Sequence, residues 1–183
     1  LIPGNYAEDY LTEQGLSFPE IPVIKFSGYL GEALDAICLE GFEELLLVSH
    51  VGKLVKTAGG IMNTHQKTAD CRTELFTAHA AICGADTELC RRLMEAPTTD
   101  ACIELLIEAG LKDSVMESLM KKIGEHLRRR VGKELRFGAR MFAKVFGTLG
   151  ETDGTEQLLL PKSARRLSQH GKNRARHLPA QGS

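Results

Sequence analysis

The 183-residue chain contains no tryptophan, and no apolar run approaches the roughly 18 residues that a membrane span needs. With 43% hydrophobic residues it reads as a soluble globular protein, long enough to bury a core as one domain with a tail. A charged stretch followed by an apolar one is missing from the start, so these residues hold no recognisable secretory signal. The first residue is Leu1, and Leu1, Ile2 and the turn Pro3-Gly4-Asn5 read as the end of a strand, so the chain is expected to be a fragment. The five cysteines (Cys38, Cys71, Cys83, Cys90, Cys102) are odd in number and contain no Cys-x-x-Cys pair. They are expected to be reduced thiols of a cytoplasmic protein. Acidic residues are absent from residues 161–183, which hold six Lys and Arg, while the remainder carries 17 basic against 24 acidic side chains. The acidic body argues against a nucleic-acid partner, and the basic tail has little to bury and is expected to be disordered.

What is present alternates between β and α patterns. Residues 21–26 (Ile-Pro-Val-Ile-Lys-Phe) are β-branched and apolar, and residues 44–49 carry four consecutive apolar side chains, enough for a strand buried on both faces. Between them, Leu30, Leu34, Ile37 and Cys38 recur at helical spacing, with Gly41 placed to end the helix. A short helix is expected over residues 7–14. Beyond Arg72 the pattern is helical: residues 68–83, a short helix capped by Thr87, another capped by Thr98 or Thr99, and a longer one opened by a Ser114-x-x-Glu117 capping box and running to about Val131. Residues 140–146 are expected as a last strand and residues 147–154 as a loop. The expected fold is α/β, a mostly parallel sheet with flanking helices and a helical C-terminal half, in which the loops at Gly4-Asn5, Ser27-Gly28 and residues 49–53 share one edge.

Polar chemistry concentrates where the buried strand ends. Ser49, His50, Gly52 and Lys53 follow it directly, then Lys56, Gly59, Gly60, Asn63, Thr64, His65, Lys67, Asp70 and Arg72. In open α/β sheets ligands bind outside the carboxyl ends of strands, where loops present polar groups without breaking the packed layers. Val51-Gly52-Lys53-Leu54 is no phosphate-binding P-loop, because Leu47 stands at the first glycine position and Leu54 at the hydroxyl position. His50, His65, Cys71 and His79 match no usual zinc spacing. His79 fits an apolar helix stripe better than a ligand set, and Cys71 lacks an evident partner base. Taken singly, Asp70 and Arg72 read as a helix-terminal pair and the lysines as solvated. Together, the glycines, amide, hydroxyl, imidazole and both charge signs indicate a crevice for an anionic ligand.

The run Gly52-Lys53-Leu54-Val55-Lys56, Ala58-Gly59-Gly60-Ile61-Met62-Asn63-Thr64-His65 and Ala69-Asp70-Cys71-Arg72 resembles the signature of the cobalt-precorrin-5B (C-1)-methyltransferases of anaerobic cobalamin biosynthesis. Pro3-Gly4-Asn5 and Ser27-Gly28-Tyr29-Leu30-Gly31 support it, so the resemblance covers residues 1–150 and leaves 151–183 as loop and basic tail. Departures are Ser49 before His50 in place of a glycine, Gln66 in place of a serine and Gly28 in place of an asparagine. The family's proteins are about twice this length, so the chain would be the second domain of a two-domain enzyme whose N-terminal half is missing here. The resemblance implies S-adenosylmethionine-dependent methylation of ring carbon 1 of a cobalt-containing corrinoid, giving cobalt-precorrin-6A, with no metal held by the protein. On this reading His65 or Asp70 manages a proton; Gly4, Asn5, Ser27, His50 and Gly52 meet the methyl donor; and Lys53, Lys56, Gly59, Gly60, Asn63, Thr64, Lys67 and Arg72 meet the corrinoid, whose carboxylates suit the basic side chains. Two alternatives stay open: a non-catalytic α/β piece keeping only a corrinoid or adenosyl-group crevice, and an unrelated nucleotide-binding protein.

Overall fold

The computed structural model describes residues 1–160 except 17, 19 and 20; the basic tail lies outside the described residues. Strand β1 (Glu44–His50) pairs in parallel with β2 (Arg136–Ala143), which pairs antiparallel with β3 (Gly147–Glu151). The expectation of a mostly parallel sheet is therefore corrected to a small mixed one. Gly147, with φ +67, lets the chain reverse straight after β2, so residues 147–151 form a hairpin partner where a loop was expected. β2 starts at Arg136, because its pairing to β1 from Glu44 onward sets the register.

Residues 21–26 form no strand, only a parallel bridge between Ile2 and Lys25. Among the described residues Ile2 is the one that bridges them, and the chain turns at Pro3 into helix α1 (Asn5–Glu13) before a ladder can grow. The backbone nevertheless carries the pairing one step past β1: Leu1 N donates to Leu46 O at 2.7 Å and Val48 N to Leu1 O at 3.0 Å. Across the molecule the order is then Lys25, Ile2, β1, β2, β3. The chain leaves Ile2 to one side through α1 and returns to the other through α2 (Leu30–Leu39).

These two helices lie on different faces. Ala7, Tyr10 and Leu11 of α1 pack with Ile2, Val48 and Phe142, whereas Leu30, Leu34 and Ile37 of α2 join Leu45 and Leu47 in the larger core. That is why the β1 run is apolar at successive positions: both faces are covered. The larger core is organised by α7 (Lys112–Val131), whose Val115, Met116, Leu119, Met120, Ile123 and Leu127 are buried at helical spacing. Around it sit α4 (Arg72–Ile82), α5 (Thr87–Met94) and α6 (Thr99–Glu108). A four-residue α3 (Val51–Leu54) continues β1 into a 3-10 turn (Val55–Gly59), and α8 (Thr155–Leu159) closes the described chain.

Several helix starts shift from expectation. α4 begins at Arg72, four residues late, because residues 61–71 are held by other bonds described below. Asp86, not Thr87, caps α5, accepting the Leu89 N–H at 2.8 Å; an aspartate one residue earlier places its oxygen at the same orphan donor. Thr98 caps α6 through the Ala101 N–H. The Ser114 box does not form: α7 already starts at Lys112, and the Ser114 hydroxyl donates back to Leu111 O.

β2 and α8 meet at Gly138, where an added Cβ would lie 2.6 Å from Thr155 Cα. Thr155 and Thr152 bond the two backbone groups of Ala139 and lock that approach. Gly138→Ala is expected to lose about 1–3 kcal/mol of stability, since the obstruction is backbone and cannot rotate away. Urea unfolding measures it; an unchanged midpoint would show that α8 contributes nothing to the fold.

Candidate functional site

Three loops expected on one edge are joined by hydrogen bonds. Ser27 N donates to Pro3 O at 3.1 Å, and Lys53 Nζ donates to Ser27 O at 2.7 Å. Ser27 is the one described non-glycine residue at positive φ (54°), a conformation that Lys53 helps hold. Asn5 faces elsewhere, its Oδ1 accepting from Lys25 Nζ.

The glycine-rich run after β1 folds back onto the second loop. Gly31 N donates to Met62 O, Thr64 N to Gly28 O at 2.7 Å, and Tyr29 bridges Asn63. A Cβ at Gly28 would lie 3.0 Å from the Cβ of His65, so this contact closes only over a residue with no side chain. Asn63 Oδ1 accepts the His65 N–H at 3.2 Å, and His65 Nδ1 accepts the Lys67 N–H at 3.2 Å. Gly60 combines φ +78 with the ring of His126 at 3.2 Å from a built Cβ, two separate reasons for glycine. Beneath this loop Lys56 is 0% exposed. Its ammonium donates to Ala69 O at 2.7 Å and Thr64 O at 3.2 Å. Burial lowers its pKa and Asp70 opposes the shift. Lys56 is thus an internal post, not an exposed cation.

Asp70 and Arg72 form a bidentate pair, both contacts 2.7 Å. Arg72 holds the Asp70 carboxyl below the usual carboxylate range, and Asp70 raises the guanidinium in return. Arg72 reaches a cleft of about 1180 Å³; Asp70 stands outside its lining. Of the residues singled out from sequence, His50, Gly52, Lys53, Thr64, His65 and Arg72 line this cleft. Gly4, Asn5, Ser27, Lys56, Gly59, Gly60, Asn63, Lys67 and Asp70 do not; most of them shape the loops that do.

The cleft also takes residues no local pattern announced. Tyr6, Asp9 and Glu13 come from α1, Thr99 and Asp100 from the start of α6, and Phe142 and Lys144 from the β2–β3 hairpin. These lie on elements remote in sequence, and the signals near them, helical periodicity, a helix cap at Thr98 or Thr99 and a strand over residues 140–146, spoke of secondary structure and not of a site. The charges divide by element: α1 and α6 bring the carboxylates Asp9, Glu13 and Asp100, while α3, α4 and the hairpin bring Lys53, Arg72 and Lys144. Burial lowers the pKa of Lys53, and the neighbouring Lys56 charge adds to the effect.

His50 caps α3, its Nδ1 accepting the Gly52 N–H at 3.2 Å. Burial pushes its imidazole below the ordinary value, partly opposed by Asp100. His79 lies on the α4 core stripe against Ser118, at 2.8 Å, as its periodicity indicated. Among the described residues no three of His, Cys, Asp and Glu are grouped as a metal site would need, and no helix is long and apolar enough to cross a membrane.

Residues 63–153 match the family described as CbiD, C-terminal domain. The chain is 43% identical over 144 residues to the cobalt-precorrin-5B C(1)-methyltransferase of Ruminiclostridium cellulolyticum, a match covering 78% of this chain and 37% of that protein. It is 35% identical over 158 residues to the protein of the same name from Alkaliphilus metalliredigens (86% and 41%), and 36% identical over 129 residues to that from Methanocaldococcus jannaschii (70% and 35%). The chain therefore spans about two-fifths of the length of these curated relatives. No solved structure matches it.

Replacing Lys56 by methionine removes both donors under the loop at nearly constant volume. The expected loss is about 2–4 kcal/mol, since two carbonyls lose a charged partner; an unchanged urea midpoint for K56M would show that the loop is held by its other bonds. Stability should also fall on mild acidification. His50, His79 and His126 all have pKa values below the ordinary one, each chiefly through burial. The unfolded chain takes up protons as pH drops through about 6.5 while these folded imidazoles resist, so unfolding gains protons and the folded state loses ground. Urea midpoints near pH 7.5 and 5.5 test the sign: a midpoint that rose on acidification would show these rings are not held neutral.

Proposed function

The chain belongs to the cobalt-precorrin-5B C(1)-methyltransferase family, as its C-terminal part, and from that premise we propose that its cleft serves methyl transfer from S-adenosylmethionine to ring carbon 1 of cobalt-precorrin-5B, giving cobalt-precorrin-6A. The observation that carries this reading is the cleft itself, where the Lys53 to Arg72 signature meets the ends of Ile2 and β1. Those two run parallel, but the order in which the chain lays down its neighbours reverses between them, to Lys25 on one side and to β2 on the other, the position at which α/β sheets leave room for a ligand.

The residues present fit both ligands. The macrocycle carries acetate and propionate carboxylates, for which Lys53 and Arg72 are charged donors at the cleft, arginine in a bidentate fork set by Asp70. Lys67, Gly59, Gly60, Asn63 and Thr64 belong to the same loop and act with it, Lys56 from below. The loops of Gly4, Asn5, Ser27 and Gly52 adjoin the methyl donor, His50 stands between the ligands, and the Asp9 and Glu13 carboxylates of α1 suit a sulfonium and ribose hydroxyls. S-adenosylmethionine supplies an electrophilic methyl group when bound. The protein's part is alignment and exclusion of water, which account for much of the rate in a displacement of this kind. As the new carbon–carbon bond forms, the methyl–sulfur bond breaks with its electron pair left on sulfur, and charge balance requires the macrocycle to release one proton. His65 is the proposed acceptor. Its Nδ1 bond to Lys67 N is exposed, so exchanging it for a proton and water costs little. Asp70 acts through Arg72.

A second reading, a binding piece without activity of its own, is favoured by one fact: the chain spans about two-fifths of its relatives. Calorimetric titration of the chain with S-adenosylhomocysteine is expected to show saturable one-to-one binding. A folded chain that does not bind would place the methyl donor on the part of the relatives not matched here. Turnover after adding that part, lost in a His65→Ala, Asp70→Ala double variant, separates enzyme from binding piece; full turnover in the double variant would remove the proton assignment.

A further inference from the structure

Nδ1 of His50 accepts a backbone N–H two residues on. An imidazole with an acceptor at Nδ1 is neutral and carries its proton on Nε2. His65 shares this arrangement in an exposed position, but the His50 bond is partly buried and its ring is braced. Phe142 meets the His50 ring edge-on at 5.5 Å and 90°, and Tyr10 stacks on Phe142 at 4.0 Å. The Tyr10 hydroxyl is tied to Thr148 Oγ1 at 2.6 Å. A second proton on the ring would have to sit on Nδ1, setting a donor against the Gly52 N–H. The remaining nitrogen, Nε2, has no hydrogen-bond partner among the described residues, and the ring lines the cleft.

The charged groups that share this cleft come from every element around it: Asp9 and Glu13 of α1, Lys53 of α3, Arg72 of α4, Asp100 of α6 and Lys144 of the hairpin. Lys53 and Arg72 can only donate hydrogen bonds and a neutral Nε2–H is a third donor on the same stretch of chain, from the end of β1 to the start of α4, while the acceptors Asp9, Glu13 and Asp100 stand on α1 and α6. The chemistry that such a set recognises is a carboxylate.

We propose that His50 is a fixed-tautomer hydrogen-bond donor whose Nε2–H, with Lys53 and Arg72, holds a ligand carboxylate, and that it takes no part in proton transfer. The identity of the carboxylate rests on the function proposed above, since both the macrocycle and the amino-acid end of the methyl donor carry one. The tautomer does not rest on it.

Nitrogen-15 NMR of the histidine-labelled chain reads the tautomer directly. The expected result at neutral pH is a neutral His50 ring protonated at Nε2, which on acidification takes its second proton only after an ordinary histidine has taken its own; an Nδ1-protonated ring, or one charged at neutral pH, would overturn the proposal. Two variants then separate donor from cap. His50→Asn can still accept the Gly52 N–H but cannot reach with a donor, whereas His50→Gln reaches with an amide N–H and loses the cap. Calorimetry with two probes, dicyanocobyrinic acid (a corrin with free carboxylate side chains) and S-adenosylhomocysteine, is expected to show about tenfold weaker binding of one probe to H50N and near wild-type binding to H50Q. The probe that weakens identifies which carboxylate is held. Equal binding of both probes by folded H50N and wild type would overturn the donor role. A wild-type chain that binds neither probe would overturn the carboxylate assignment and the function beneath it, leaving the tautomer to be judged by NMR alone.

Discussion

The ammonium of Lys56 sits where solvent does not reach, donating to the carbonyls of Thr64 and Ala69, and the floor of the cleft takes its shape from those two bonds. A buried ammonium is costly unless it is fully hydrogen-bonded. The loop that supplies the carbonyls is thereby required to lie over it. That loop in turn presses His65 against Gly28, bonds Thr64 to the same turn and carries the chain to Asp70 and Arg72. The donor that looks from sequence like one more surface cation is what lets the others be surface cations in the right place.

The cleft lies at the point where the backbone order reverses. α1 and α2 leave the sheet on different faces, and between them the ends of Ile2 and β1 meet the Ser27 loop and the single turn of α3 that carries Lys53. The rest of the fold supports this opening from a distance. α7 fills the larger core beneath it, the β2–β3 hairpin brings Phe142 and Lys144 to its side, and the Tyr10–Phe142 stack joins α1 to the hairpin. Aromatic stacking of this kind adds about 1 kcal/mol beyond the area buried.

Much of this was legible in the residues. The apolar run of β1, the helix ended by Gly41, a cap at Thr98 or Thr99 and the end of α7 at Val131 all follow from periodicity and capping chemistry, which act over a few residues. The concentration of polar groups after β1 likewise announced a site. What local pattern misjudged were features fixed by distant partners. Residues 21–26 have strand composition but only Ile2 to pair with, and residues 147–151 have loop composition but a free edge of β2 beside them. α4 starts at Arg72 because the preceding residues are engaged with Lys56 and the Ser27–Gly31 turn.

The sequence by itself determined the α/β class, the place of the buried strand and the family, because these depend on composition, short-range periodicity and an uninterrupted motif. Tertiary structure alone decided the division of labour among the motif's residues. Lys53, His65 and Arg72 reach the cleft while Lys56, Gly60 and Asp70 serve the loop, and two lysines three residues apart, Lys53 and Lys56, end at the cleft and in the core. It also brought Asp9, Asp100 and Lys144 to the same space and set which nitrogen of His50 carries a proton. The physical reason is one of range. Burial, desolvation and hydrogen-bond partners are properties of what a side chain meets across the fold, and no spacing along the chain encodes them.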